Sequence, residues 1–187
     1  AVGATGSIVF LLTSVFNGLS VGANVIVAKL LGGQDEKKTS LAVHTSIFIG
    51  LVGGIVLAIL GIFFSRTLLT LMSTPEDIID LSNLYMQIYF IGAVFLLVYN
   101  FGSAVLRSKG DTQRPLVYLT ISGLLNVGLN LFFVIVLHMS VAGVALATII
   151  SEGVSAALVV GTLMREKDAT RLELKQLKLN RHIMLEI

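Results

Sequence analysis

Long stretches without a charged side chain are the feature that most constrains this sequence. Residues 1–28, 39–65, 81–106 and 115–151 contain no Asp, Glu, Lys or Arg. A helix needs about 20 apolar residues to cross a hydrocarbon core of about 30 Å. The fourth stretch is long enough for two crossings and is interrupted at His138-Met139-Ser140. The sequence therefore predicts five transmembrane helices, over about residues 1–31, 39–65, 75–106, 113–137 and 139–164.

The composition excludes the common classes of water-soluble protein. Only 13% of the residues are charged and 55% are hydrophobic, whereas a soluble domain carries about 25% charged residues. A soluble enzyme, a nucleic-acid-binding protein and a disordered tail are therefore poor interpretations. The absence of Cys removes disulfide scaffolds, thiolate metal sites and cysteine nucleophiles. The apolar runs do not alternate as the strands of a membrane β-barrel would, so we predict an all-α integral membrane protein.

The basic residues predict an orientation in the membrane. Lys and Arg collect in short loops on the cytoplasmic side. With five spans, every basic residue except Arg66, twelve of the thirteen, falls on one side. We therefore expect the residue-1 end to lie outside the cell membrane and residues 165–187 to lie in the cytoplasm.

Polar side chains within the predicted spans are candidates for function. Asn126 and Asn130 are four residues apart, as are Thr148 and Glu152, so each pair shares one helix face. A carboxylate at mid-membrane costs roughly 2.5–3.5 kcal/mol on insertion scales. We expect Glu152 to face a bundle interior or a wet cavity for that reason. Hydrogen bonds between helices would account for the asparagines without any function, and a protonated or Asn-paired Glu152 would do the same.

Several segments carry a resemblance to a known family. Residues 19–32, LSVGANVIVAKLLG, look like the second helix of multidrug and toxic compound extrusion (MATE) transporters, with Lys29 where Gln is more usual. Residues 107–115, RSKGDTQRP, are similar to that family's loop between helices four and five. Residues 125–132 and 141–148 resemble its helices five and six. The matches occur in the family's order over nearly the whole chain.

The resemblance implies an architecture. Family members have twelve helices in two six-helix lobes. Residues 1–164 would be helices two to six of the N-terminal lobe, and residues 165–187 would be the cytoplasmic linker between the lobes.

The resemblance also implies a site for the coupling ion within that lobe. Its positions correspond here to Asn100, Asn126, Asn130 and Thr148. Asn130 stands where some members have Asp, and a neutral amide cannot release a proton. Oxygens of Asn126, Asn130 and Thr148 are hard ligands that could hold Na⁺. Glu152, one turn beyond Thr148, is a candidate acid by its spacing alone.

These observations favour a secondary antiporter that exports amphipathic, often cationic, compounds against inward Na⁺ or H⁺ flow. We expect no cofactor beyond that ion. The expected partners are a small-molecule substrate, the lipid bilayer and the remaining helices of the same transporter, with no nucleic acid.

Three other functions are weighed against export. A flippase for lipid-linked oligosaccharides belongs to the same superfamily, but it needs cationic residues in its cavity, and no Lys or Arg lies deep in a span. A membrane-embedded enzyme would need paired acids or a His cluster. His44 and His138 instead lie near span ends, where we expect interfacial water to solvate them. A purely structural or assembly role stays open, and a transport assay on the full-length protein would discriminate it.

Overall fold

The computed structural model describes the backbone of residues 2–187 and the side chains of residues 10 and 13–187. The predicted first span begins at residue 1, which lies outside the described residues. Within residues 2–187 the long α-helices are α1 Val2–Gly32, α2 Glu36–Leu71, α3 Glu76–Ser108, α4 Gln113–Leu131 and α5 Ser140–Arg165. A π-helical turn, Phe132–Val136, continues α4, and α6, Arg181–Glu186, follows a 3₁₀ turn at Leu174–Gln176. Five helices in this part are long and apolar enough to cross a membrane, and it contains no strand. The predicted five-helix, all-α membrane fold is therefore confirmed.

The helix ends follow from local chemistry. Asp35 begins α2, because its side chain accepts a hydrogen bond from the Lys38 backbone N–H at 3.0 Å. Gly110 turns the chain after α3 with φ +83°, a conformation that glycine adopts without strain. Helix α2 continues to Leu71, past the predicted span end at residue 65. Arg66 ends the apolar stretch but not the helix, and its exposed guanidinium forms an ion pair with Asp80 at 3.0 Å.

Helix α3 lies in the centre of the bundle, packed against α1, α2 and α5. Its approach to α2 is close at Gly54, where an added Cβ would lie 2.5 Å from the Val94 Cα. Small residues at such crossings let two backbones come together in lipid. Helix α4 packs mainly against α5. This arrangement brings the polar residues of α4 and α5 face to face.

The bundle has two ends with different character. The turns 33–35 and 109–112 lie at one end together with residues 166–187, and we call this the linker end. The turns 72–75 and 137–139 lie at the other, which we call the Asp77 end. Leu172 and Ile183 are 2% and 6% exposed and join the core at the linker end. Residues 166–187 are therefore docked onto the helices.

Candidate functional site

A line of polar contacts joins α4 to α5. Near the linker end, the hydroxyls of Tyr118 and Thr162 lie 2.7 Å apart. Ser122 Oγ donates to the Ser151 carbonyl at 2.7 Å. Further along, Asn126 Nδ2 donates to Thr148 Oγ1 at 3.4 Å. Asn126 and Thr148, predicted as site residues on separate helices, are thus in direct contact, whereas nothing in the residue spacing singled out Tyr118 or Ser122.

Asn130 extends this polar group toward the Asp77 end. Its Nδ2 donates to the Asn126 carbonyl at 2.9 Å and to Asn126 Oδ1 at 3.0 Å. Its Oδ1 is buried and has no hydrogen-bond partner among the described residues. A buried acceptor without a partner is costly. Since it is an oxygen, this atom is suited to a cation or to a donating group of a ligand.

The π-helical turn begins two residues after Asn130. In it the backbone N–H of Leu137 donates to the Phe132 carbonyl at 3.1 Å, which is the i→i+5 pattern. Such turns interrupt regular α-helices and occur often at functional sites. The local sequence, a run of apolar residues, gives no signal for it.

Glu152 lies on the same helix as Thr148, and its carboxyl is directed at α3. A Cβ added to Gly92 would lie 3.0 Å from Glu152 Oε2, so the missing side chain makes room for the carboxyl. Oε2 is buried and has no hydrogen-bond partner in the described part of the chain. No ion pair recorded there includes Glu152. Burial without a counter-charge is expensive in a membrane and is typical of a substrate or ion pathway.

Asn100 lies apart from the other predicted site residues. Its Nδ2 donates to Asn17 Oδ1 on α1 at 2.7 Å. The hydrogen bonds of the described side chains therefore join Asn126, Asn130 and Thr148 into one group and leave Asn100 in another.

An ion-pair network fixes the linker end. Lys109 Nζ lies 2.7 Å from both Glu166 Oε2 and Asp168 Oδ2. Arg114 contacts the other oxygen of Glu166 at 2.7 Å and also pairs with Asp111. The network ties the turn between α3 and α4 to the start of the 166–187 segment.

The pairing perturbs the ionisation of two members of this network. Burial opposes the charged form of Asp168, but hydrogen bonds from Lys109 and Thr170 outweigh it and lower its pKa to about 2. Burial likewise opposes the charge on Lys109, yet the hydrogen bonds to Asp168 and Glu166 raise its pKa. Both groups are therefore charged at neutral pH.

His44 does not lie in interfacial water as expected. It is 3% exposed. Its Nδ1 lies 2.7 Å from the Ser40 carbonyl, and its Nε2 accepts from the Glu173 backbone N–H at 3.0 Å. Both ring nitrogens therefore have hydrogen-bond partners. The prediction missed this role because Glu173 reaches α2 only through the tertiary fold.

Comparison with known proteins identifies relatives. The MatE family model matches residues 1–132. The probable multidrug resistance protein YpnP of Bacillus subtilis strain 168 is 36% identical over 157 residues, which cover 83% of this chain and 35% of YpnP. The multidrug export protein MepA of Staphylococcus saprophyticus is 24% identical over 187 residues, covering all of this chain and 42% of MepA. The chain thus spans well under half the length of these relatives.

Solved structures share the fold. An inward-facing multidrug resistance MATE transporter of the MOP superfamily superposes with a TM-score of 0.91 at 22% identity, over 99% of this chain and 42% of its own. An outward-facing MATE transporter superposes with a TM-score of 0.88 at 22% identity, over 98% of this chain and 42% of its own.

Proposed function

This chain belongs to the MatE family, and from that premise we propose that it forms part of a secondary antiporter. The full-length antiporter exports amphipathic, often cationic, compounds against an inward flow of Na⁺ or H⁺. The observation that carries the proposal is the contact of Asn126 on α4 with Thr148 on α5, because polar groups inside membrane helices are costly and often mark an ion or substrate pathway. The names of YpnP and MepA, which describe multidrug resistance and export, support it.

The mechanism that fits is alternating access. Two lobes rock around a central site, and ion binding shifts the balance between the two states by its different affinity for each. The lobe matches an inward-facing structure and an outward-facing one almost equally, with TM-scores of 0.91 and 0.88. Near-equal similarity is what a lobe that moves as a rigid unit would give.

The coupling ion is assigned to the polar group on α4 and α5. Na⁺ prefers hard oxygen ligands, and Asn126, Asn130 and Thr148 offer amide and hydroxyl oxygens. The unpartnered Oδ1 of Asn130 supports a ligand role. Asn130 has no proton to release, so Glu152 is the acid on α4 and α5 that could carry one. Asn100 is hydrogen-bonded to Asn17. It is therefore assigned to the neighbourhood of the ion site rather than to its centre.

The proposed orientation puts the linker end in the cytoplasm and the Asp77 end outside the cell membrane. Residues 166–187 then act as the cytoplasmic linker to the rest of the transporter. The small-molecule substrate and the coupling ion would reach their sites through the membrane-spanning helices of the transporter. The sidedness of the basic residues supports this orientation.

The test is ion-coupled export by the full-length protein in proteoliposomes. We expect an imposed Na⁺ or H⁺ gradient to drive counter-movement of an organic cation, and an ionophore that dissipates the gradient to stop it. Movement that ignores both gradients would contradict antiport.

In the same assay, Asn126→Ala should weaken coupling, and Glu152→Gln should alter the Na⁺ or pH dependence more than protein abundance. If both variants keep the ion dependence of the wild type, these polar groups serve only packing.

A further inference from the structure

A cleft lies between α2 and the docked 166–187 segment at the linker end. Its volume is about 350 Å³. Leu41 and His44 of α2 line one side, and Lys175, Lys178 and Leu179 are among the residues that line the other. Among the described residues, no carboxylate lines it. The cleft, which we call the Lys175 cleft, is therefore basic and partly apolar.

Hydrogen bonds to α2 hold the segment in place on both sides of the two lysines. Before them, the Glu173 backbone N–H donates to His44 Nε2 at 3.0 Å. After them, the Asn180 backbone N–H donates to Thr45 Oγ1 at 3.3 Å. Thr45 Oγ1 also donates to the Lys178 carbonyl at 3.5 Å. The backbone that carries the lysines is thus fixed against the helix.

The ammonium groups of these lysines have no counter-charge within the described part of the chain. Its ion pairs include neither Lys175 nor Lys178, and both residues are exposed. Glu173 is the carboxylate nearest to them in sequence. Its Oε2 instead accepts a hydrogen bond from Gln176 Nε2 at 2.5 Å. Two positive charges, three residues apart, are therefore available to an anion from outside the chain.

The Lys175 cleft lies at the depth of lipid headgroups. Leu41 is the third residue of the uncharged stretch 39–65, so it marks the membrane surface. Val52, Ile55 and Ile59 follow it at spacings of eleven, three and four residues, which puts all four on one helix face, and all four are exposed. From Leu41 to Val52 is about 16 Å along the helix. Acyl chains can therefore cover this face of α2 while their headgroup reaches the cleft.

We propose that the Lys175 cleft binds an anionic phospholipid. Lysines close to the membrane surface attract anionic lipids, and the ammonium groups of Lys175 and Lys178 supply point charges for the phosphate. Leu179, 43% exposed beside them, offers an apolar contact that free phosphate cannot use. A zwitterionic lipid carries no net charge to match the lysines. The bound lipid lies between the segment and α2, so it strengthens the docking of residues 166–187. This inference does not rest on the export function.

The experiment is lipid binding to the purified full-length transporter, measured by native mass spectrometry. The probes are phosphatidylglycerol, which is anionic, and phosphatidylcholine, which is zwitterionic. We expect the wild type to bind the first phosphatidylglycerol about tenfold or more tightly than phosphatidylcholine. The double variant Lys175→Gln/Lys178→Gln should lose most of this preference, and its phosphatidylcholine binding should change less than about twofold. In the wild type alone, added phosphatidylglycerol should slow hydrogen exchange at the Glu173 and Asn180 amides several-fold.

Arg107→Gln/Arg171→Gln is the matched control. It also removes two positive charges from residues at the linker end that make no ion pair in the described part of the chain, but neither residue lines the cleft. This control should keep the preference for phosphatidylglycerol. Equal losses in the two double variants, or equal binding of the two lipids by the wild type, would overturn the proposal. Displacement of phosphatidylglycerol by an equimolar amount of soluble glycerol 1-phosphate would also overturn it, since the site would then bind phosphate and not a lipid.

Discussion

At the scale of single residues, Lys109 connects the turn after α3 to the 166–187 segment. Its side chain and that of Glu166 are 19% and 13% exposed, so the pair is better shielded from water than an ordinary surface ion pair. Asp168 and Thr170 also accept hydrogen bonds from Lys109 Nζ. Removal of this one ammonium group leaves Asp168 without its cation and leaves Glu166 paired with Arg114 alone.

We predict that Lys109→Met loosens the docking of the 166–187 segment. A hydrogen bond to a charged group contributes about 1.5–3 kcal/mol, which corresponds to roughly ten- to hundredfold faster local opening. Suitable reporters are the backbone amides of Leu172 and Glu173, which donate to the Leu163 carbonyl and to His44 Nε2. Hydrogen exchange at these amides measures the opening. Arg107→Met is the control, since Arg107 makes no ion pair with the described residues, and unchanged exchange in Lys109→Met would contradict the role of the network.

The pKa of Asp168 gives the pH range of this contribution. Its pKa falls from 3.8 to about 2 in the fold, so its stabilisation is complete well above pH 3.8. The stabilisation is lost as the pH falls through about 2, where the folded carboxyl becomes protonated. Near neutral pH the docking should therefore not vary with pH through this group.

Residue spacing predicted part of the site and could not predict the rest. The four-residue spacing of Asn126 with Asn130, and of Thr148 with Glu152, fixes shared helix faces because an α-helix repeats every 3.6 residues. The approach of the Glu152 carboxyl to Gly92 depends on how α3 packs against α5. No periodicity within either helix encodes that packing, so this contact became visible only in the fold.

At the scale of elements, the positions of the membrane helices could be predicted from the sequence, but some of their boundaries could not. Apolar length predicted where the membrane helices lie, because hydrophobic thickness sets that length. It could not predict that α2 continues to Leu71 or that α4 ends in a π-helical turn. The apolar run around the π-helical turn gives no local signal for it, and the charged side chain of Arg66 ends the apolar stretch without ending α2.

We predict that Gly54→Ala destabilises the full-length protein and that Gly153→Ala does not. A Cβ at Gly54 would lie 2.5 Å from Val94 Cα, so two backbones must separate. A Cβ at Gly153 would lie 3.9 Å from the Phe95 ring, which is an ordinary contact. Overpacking costs about 1–3 kcal/mol, whereas Ala gains up to about 1 kcal/mol of helix propensity over Gly.

Thermal unfolding in detergent, followed by circular dichroism, compares the two variants. Gly54→Ala should unfold several degrees below the wild type, and Gly153→Ala at or above it. Equal losses in both variants would contradict the close crossing of α2 and α3.

At the scale of the whole molecule, the account depends on sidedness. Five crossings place the two ends of the bundle on opposite sides of the membrane. Only one orientation puts the basic loops and the docked 166–187 segment together on the cytoplasmic side, where Lys and Arg collect. The count of spans could be predicted from the sequence because hydrophobic length and the placement of Arg and Lys support each other. The proposed direction of export assumes that orientation, so the orientation is the central claim.

Single-cysteine labelling with a membrane-impermeant reagent tests that claim directly. The stretch has no Cys, so single cysteines are specific once the rest of the transporter is also free of Cys. We predict that Asp77→Cys and Ser140→Cys react from outside intact cells. Lys37→Cys, Arg107→Cys and Arg171→Cys should react only after the membrane is opened. Labelling of Asp77→Cys from the cytoplasmic side alone would contradict the five-span orientation and the transport mechanism built on it.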